Sequence, residues 1–194
     1  PYYFNTNFGY QTNGRGRNFS IDTGKGYKNL GFNVGLSHIK IGDRHAPSYS
    51  LTNSGKEEKG FNIGLHYHLS NFDIKFYYSY VDVNLALLRS SVFDSGNAIS
   101  RAISSEEPLF IRPFSFDINE PNQLVDHHLA KVNINWWYNE NDKLSFVFGR
   151  QLNKRKEFDV RRNAEKPIID LDLITTDLMI DWDHSFSENS DGLI

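Results

Sequence analysis

The feature that most constrains this chain is an alternation of apolar and polar residues that recurs along nearly its whole length, with turn residues between the runs. Successive side chains of a strand point to opposite faces, so a period of two marks a strand with one apolar face. In Tyr2 to Gln11, Tyr2, Phe4, Thr6, Phe8 and Tyr10 share one face, and Tyr3, Asn5, Asn7, Gly9 and Gln11 share the other. Asn13-Gly14-Arg15-Gly16 turns the chain. A weaker return strand, Phe19 to Thr23, ends at a Gly24-Lys25-Gly26 turn, and Leu30, Phe32, Val34 and Leu36 alternate with small or polar residues in a third strand. Further runs at Phe61 to Leu69, Phe72 to Tyr80, Ala130 to Tyr138, Leu144 to Phe148 and Leu178 to Trp182 bring the expectation to about eight antiparallel strands in an all-β fold.

One hairpin can be registered directly. Ser70-Asn71 leaves only two residues between two runs, which pairs Leu69 with Phe72. Phe61, Ile63, Leu65, Tyr67 and Leu69 then share a face with Phe72, Ile74, Phe76, Tyr78 and Tyr80. The opposite face collects Asn62, Gly64, His66, His68, Asp73, Lys75, Tyr77 and Ser79. The same division returns as Val132, Ile134 and Trp136 against Lys131, Asn133 and Asn135.

Composition removes several classes. No stretch approaches the roughly 18 consecutive apolar residues of a membrane-spanning helix, and mean hydropathy is -0.54. The absence of cysteine rules out disulfides, thiolate metal sites and cysteine nucleophiles. A net charge of -3 with no basic block argues against a nucleic-acid partner. No nucleophile sits on a strained elbow beside an oriented base, and Gly14-Arg15-Gly16 precedes a strand where a phosphate loop would precede a helix. The chain is therefore expected not to be an enzyme and to need no cofactor. Pro1 reads as an internal or processed start, and Asp191-Gly192-Leu193-Ile194 as the beginning of a further strand, so a fragment is expected.

The connections differ in length in an ordered way. Short turns lie at Gly24 to Asn29, Ser70-Asn71, Asn139 to Lys143 and Ser185 to Gly192, and long ones at Gly42 to Lys59, Asn84 to Leu124 and Asn153 to Ile168. The longest should hold a brief helix, because Ile99, Ala102 and Ile103 fall at helical spacing after Asp94-Ser95-Gly96 and before Pro108. A soluble sandwich also alternates, with its apolar face as core. Three features favour a transmembrane β-barrel: a polar second face, aromatics near strand ends, and short turns at one end with long loops at the other. Ile39 and Ile41, and likewise Leu171 and Leu173, are out of phase with their neighbours. Both breaks lie toward the long-loop end, and the expectation is that these strands project beyond the membrane there, where bulges or altered registers carry no lipid penalty.

Three segments carry a family resemblance. Gly42-Asp43-Arg44-His45-Ala46-Pro47-Ser48-Tyr49 with Leu51-Thr52-Asn53-Ser54-Gly55-Lys56-Glu57-Glu58, Val125-Asp126-His127-His128-Leu129-Ala130-Lys131, and Arg155-Lys156-Glu157-Phe158-Asp159-Val160-Arg161-Arg162 resemble TonB-dependent outer-membrane receptors, especially those of Bacteroidetes type. The resemblance implies that residues 1–194 form the N-terminal part of a barrel of about 22 strands, with plug domain, TonB-contacting box and terminal aromatic strand absent from this stretch. It implies active uptake of a scarce nutrient, most often a ferric siderophore, across the Gram-negative cell outer membrane. The implied partners are the lipid bilayer, the plug domain and TonB system of the full-length parent, and a small-molecule or siderophore ligand. A self-contained eight-stranded barrel acting as pore or anchor, and a soluble carbohydrate-binding sandwich, are the alternatives.

Specific residues follow from this reading. Phe61, Ile63, Leu65, Phe76, Tyr78, Val132, Ile134, Trp136, Phe146 and Phe148 are expected to face lipid. Asn62, His66, His68, Asp73, Lys75, Lys131, Asn133 and Asn135 should face the lumen, and His45, Tyr49, Arg89, Arg161 and Arg162 are the ligand-binding candidates on extracellular loops. His66 and His68 share a face with Asp73 opposite His68 and Lys75 opposite His66, a set that a metal could use. Because Lys75 would repel a cation, they read as lumen histidines hydrogen-bonded to water and a carboxylate, and no metal is expected. His127-His128, adjacent on a strand, point to opposite faces and read as the start of a strand. The basic group Arg150, Lys154, Arg155, Lys156, Arg161 and Arg162 could attract an anionic ligand or lipopolysaccharide phosphates; the favoured reading is a solvated hairpin balanced by Glu157, Asp159 and Glu165.

Overall fold

The structure is a computed structural model that describes residues 1–93, 95–160, 166–187 and 190–193. In chain order its elements are β1 (Tyr2–Gln11), β2 (Gly16–Tyr27), β3 (Leu30–Ile41), β4 (Arg44–His45), β5 (Ser50–Leu51), β6 (Lys56–His68), β7 (Phe72–Ala86), α1 (Gly96–Ser104), β8 (Asn122–Trp137), β9 (Asp142–Phe158), β10 (Ile169–Ser187) and β11 (Ser190–Leu193). The fold is all-β and antiparallel. Its main sheet has the order β1-β2-β3-β6-β7-β8-β9-β10-β11, eight long strands with the four-residue β11 at one edge. Each strand pairs with its nearest long neighbours in sequence, and β4 and β5 form a separate two-residue ribbon. β1 lies at the opposite edge from β10 and β11, so the sheet is open.

The two-residue connection fixes the β6–β7 register as the spacing requires: the Leu69 amide donates to the Phe72 carbonyl at 2.7 Å, and His66 pairs with Lys75 and His68 with Asp73. The expected helix is present as α1, started by the Ser95 hydroxyl accepting from the Ala98 amide. Its orientation differs from the spacing argument, because Ala98 is buried while Ile99 and Ile103 are exposed. A second difference lies in β2. Gly24-Lys25-Gly26 belongs to the strand, paired with Tyr2 and Tyr3 and with Gly31 to Asn33, and the turn is Lys28-Asn29, with Lys28 at φ +50°. Gly24 is there for space. A Cβ at that position would fall 2.5 Å from the Tyr3 ring, which lies over it.

The sheet is a single layer. Among the described residues the buried apolar side chains are Ala86, Ala98 and Pro121, and the main sheet is not covered by a second one. A sandwich would seal one face of each sheet into a core; here Phe8 is 72% exposed and Leu178 63%.

The strands also run further than the alternation suggests, toward the long-loop end, and the ladders explain why. One rung crosses all eight long strands as Tyr2, Lys25, Phe32, Leu65, Phe76, Val132, Phe148 and Leu178. The neighbouring rung on the other face reads Tyr3, Gly24, Asn33, Gly64, Tyr77, Lys131, Gly149 and Asp177. Nearer the long loops the chemistry is exchanged. The face that was aromatic now carries His38, Lys59, Asp82, Asp126, Lys154 and Asp172, and the face that was polar carries Ile39, Glu58, Val83, Val125, Arg155 and Leu171. No bulge accompanies the exchange. The ladders of β3 and of β10 run without a shift through Ile39, Ile41, Leu171 and Leu173, and the register change recorded in β10 lies at Ser185 to Ser187, by the short turns. The change of phase is therefore one of side-chain chemistry on continuous strands, with neither the bulge nor the altered register that the sequence reading allowed.

Candidate functional site

Above the sheet, the 12–15 turn and the 42–55 and 87–121 connections form one hydrogen-bonded cap. Its keystone is Asn53, held in the left-handed region at φ +60°, a conformation that asparagine tolerates better than most residues. The Asn53 amide donates to the carbonyls of Leu87 and Pro121, both at 2.8 Å, and its Oδ1 accepts the Asn119 amide at 2.9 Å. Asp43 accepts from the amides of Ser54 and Ser115 at 3.0 and 3.2 Å, and the Thr52 hydroxyl accepts from the Arg112 amide at 2.9 Å. Asn13 joins in by pairing both ends of its amide with the backbone of His45, at 2.7 and 3.1 Å. Arg15 stacks on Phe114 at 4.2 Å. Beneath these groups is a cavity of about 320 Å³, lined by Asp43, Thr52, Asn53, Arg89, Arg112 and Asp117 among others.

The loop residues singled out from sequence are spread over this cap. Arg89 reaches the cavity wall, but its guanidinium is already engaged, donating to the Val92 carbonyl at 2.9 Å and lying 4.0 Å over the Phe110 ring. His45 is exposed, and its Nε2 meets the Ser50 hydroxyl at 2.9 Å. Tyr49 stands in the turn between β4 and β5 and does not line the cavity. Arg161 and Arg162 lie outside the described residues. Arg150, Lys154, Arg155 and Lys156 belong to β9 rather than to a loop, with Arg155 on Glu157 and Lys156 4.0 Å from Asp170. Sequence reasoning missed Asp43, Thr52 and Asn53 as the organisers of the cap, since nothing local marks a partner 60 to 70 residues away.

On the polar face, Asn62, His66, His68, Asp73, Lys75, Lys131, Asn133 and Asn135 do share one side of the sheet. That face is kept low between β3 and β6: Asn62 lies over Gly35 and Asn33 over Gly64, where an added Cβ would fall within 2.4 Å of the amide. Ser145 donates to Asn135 at 2.9 Å, and the amide oxygen of Asn133 is buried without a hydrogen-bond partner. The histidine cluster has the expected register, and a histidine meets a carboxylate. The Asp73 carboxylate reaches diagonally to His66, not straight across to His68, and Lys75 turns to the second Asp73 oxygen at 3.4 Å.

The residues expected to face lipid share the other face without exception. Toward the short turns this face ends in aromatics: Phe72 stacks on Trp136 at 5.5 Å, and Trp136 meets Tyr138 at 5.4 Å. His127 and His128 sit within β8 rather than at its start, and on opposite faces. His127 contacts Asn153, and His128 accepts or donates at the Tyr78 hydroxyl at 2.8 Å. Below the aromatic rim, the Asp142 carboxylate ties the β8–β9 turn to β10, meeting Asn139 at 2.7 Å, Trp182 at 2.9 Å and His184 at 2.5 Å. Burial alone would raise its pKa; the bonds from Asn139, His184, Trp182 and Tyr138 outweigh that and hold it at about 2.

No family model, curated protein or solved structure matches this chain.

Proposed function

We propose that this chain is part of the wall of a TonB-dependent outer-membrane receptor that takes up a scarce nutrient, in the first instance a ferric siderophore. The observation that carries the membrane reading is the bare aromatic face. It is continuous across eight strands, and the single-layer sheet offers no core to hide it. Soluble proteins rarely leave apolar areas of this extent uncovered. In β1 it runs from Tyr2 to Tyr10, close to the roughly 9–11 residues that a tilted strand needs to cross the hydrocarbon. Charged residues crowd that face toward the long loops, where headgroups and water would meet them; within the aromatic band it also carries Lys25 of β2 and Arg150 of β9, and aromatics gather at the opposite rim as interfacial girdles do. In lipid the free edges of β1 and β10 require partners, because unpaired backbone groups cannot be solvated there. Further strands of a larger barrel supply them on this reading. A self-contained eight-stranded barrel is disfavoured, since β1 and β10 are not paired with each other.

The receptor identity and the siderophore rest on the resemblance of the segments around Gly42 to Glu58, Val125 to Lys131 and Arg155 to Arg162. The capped loop end, with its arginine-lined cavity, suits capture of a polar ligand. Two experiments test the proposal. The chain should remain in the membrane fraction after alkaline carbonate and be released by detergent; recovery in detergent-free buffer as a folded monomer overturns the membrane reading. The full-length parent should accumulate labelled ferric siderophore only in cells with an energised TonB system, and uptake independent of TonB overturns the receptor reading.

A further inference from the structure

We infer that the polar face carries a binding site for a divalent transition-metal ion, held by His66, His68 and Asp73. All three ligands lie on the β6–β7 hairpin, and the site is independent of what the aromatic face touches.

Residues two apart on a strand point the same way at a spacing of about 7 Å, which lets two imidazoles close on one ion. The His66 and His68 rings are 6.5 Å apart between centroids. Asp73 comes from the neighbouring strand, and the two-residue turn fixes it opposite His68. The ligand atoms of all three side chains lie within 4.8 Å of one another, so side-chain rotations bring them to the separations of a shared metal, whose bonds to nitrogen and oxygen are about 2.0–2.2 Å long. Two imidazoles and a carboxylate suit zinc and its neighbours, whereas calcium and magnesium favour all-oxygen sets. The approach is open as well. Gly31 pairs with His66 and Gly26 with Gly31, so two successive positions of the same rung present no side chain.

Lys75 is the group that opposes a cation. In the structure it occupies the Asp73 oxygen turned away from His66, and more than half of its side chain is exposed. It is free to swing aside on its flexible stem, and Asn133, its partner in the ladder, has an unpartnered amide oxygen. Lys75 therefore weakens the site without blocking it. This gives the proposal a signature that scattered surface histidines would lack, because removing a positive charge should improve binding of a positive ion.

The test is calorimetric titration of the whole folded chain, in detergent micelles or in buffer if it needs none, with zinc chloride, and with cobalt(II) followed by visible absorption. One ion per chain is expected, with cobalt giving the absorption of a tetrahedral nitrogen–oxygen site. His68→Ala and Asp73→Asn should each weaken zinc binding by about tenfold or more, and Lys75→Gln should tighten it by about fivefold. Far-ultraviolet circular dichroism checks that each variant keeps its strands. Absence of saturable binding to the folded chain, affinity unchanged in His68→Ala and Asp73→Asn, or a Lys75→Gln variant that binds no more tightly overturns the inference.

Discussion

In the cap, Asp43, Thr52 and Asn53 are each at most 6% exposed, and their side chains bond to backbone from distant parts of the chain. In the sheet below, large apolar side chains stand bare on one face and polar ones on the other. The cap meets its needs internally, through single residues with several defined partners. The large apolar side chains of the sheet find no such cover within the chain, and depend on whatever solvent lies against their face. Damage to the first should therefore be local and residue-specific, while damage to the second should depend on which face is altered.

The largest expected effect tests the sheet. Val132→Arg places a charge in the middle of the aromatic face and should destabilise the chain in lipid by about 2–4 kcal/mol. Lys131→Gln, one residue away on the polar face, should stay within about 0.5 kcal/mol. Denaturant unfolding from vesicles followed by tryptophan fluorescence measures both, and equal costs would erase the difference between the faces.

Next comes the cap. Asn53→Ala strips the partners from two carbonyls and an amide, at a cost of about 1–3 kcal/mol. The loss should appear in hydrogen exchange as reduced protection at Asn119 and Arg112, with β6 and β7 unchanged. Loss of protection spread through the strands would show that the cap and the sheet are one cooperative unit.

A smaller effect is expected at the short-turn end. The folded-state pKa of Asp142, about 2, lies below its ordinary 3.8. The charged form is thus favoured by folding, and its stabilising contribution is complete above roughly pH 4 and lost as the pH falls toward 2. Melting temperature recorded from pH 5 to pH 2 should fall less steeply in Asp142→Asn than in the parent. The smallest effect belongs to Ile103→Ser. The side chain is 81% exposed, and the change should leave stability within about 0.5 kcal/mol, unlike loss of an equally apolar side chain from the aromatic face in lipid.

The comparison also sorts what could be read from sequence. The strands, the faces and the β6–β7 register were legible, because alternation is written residue by residue and a two-residue turn allows little choice of pairing. The strand ends toward the long loops were not. There the apolar residues change sides on unbroken ladders, so a reader following one face sees the signal fade and infers an end or a bulge. Gly24 and Gly26 imitate a turn in sequence because glycine serves space as well as bending, and only the Tyr3 ring above Gly24 reveals which. The cap was the least legible part: Asn53 and Pro121 are 68 residues apart, and no local pattern marks them as partners. Around Asp73 the ladder gave the position and left open which histidine the carboxylate meets, since side-chain reach along a diagonal is not set by backbone pairing.

The order of the main sheet has a consequence for how the molecule is assembled. Its long strands pair with the long strands immediately before and after them along the chain, so no segment must wait for a distant one before the backbone can zip. Growth can proceed hairpin upon hairpin, with short closures at the 12–15, 28–29, 69–71 and 138–141 turns that favour speed, and longer ones across the 42–55 and 87–121 connections. The same arrangement makes the hairpin a natural unit of duplication or deletion, since one can be inserted or lost without rethreading the rest.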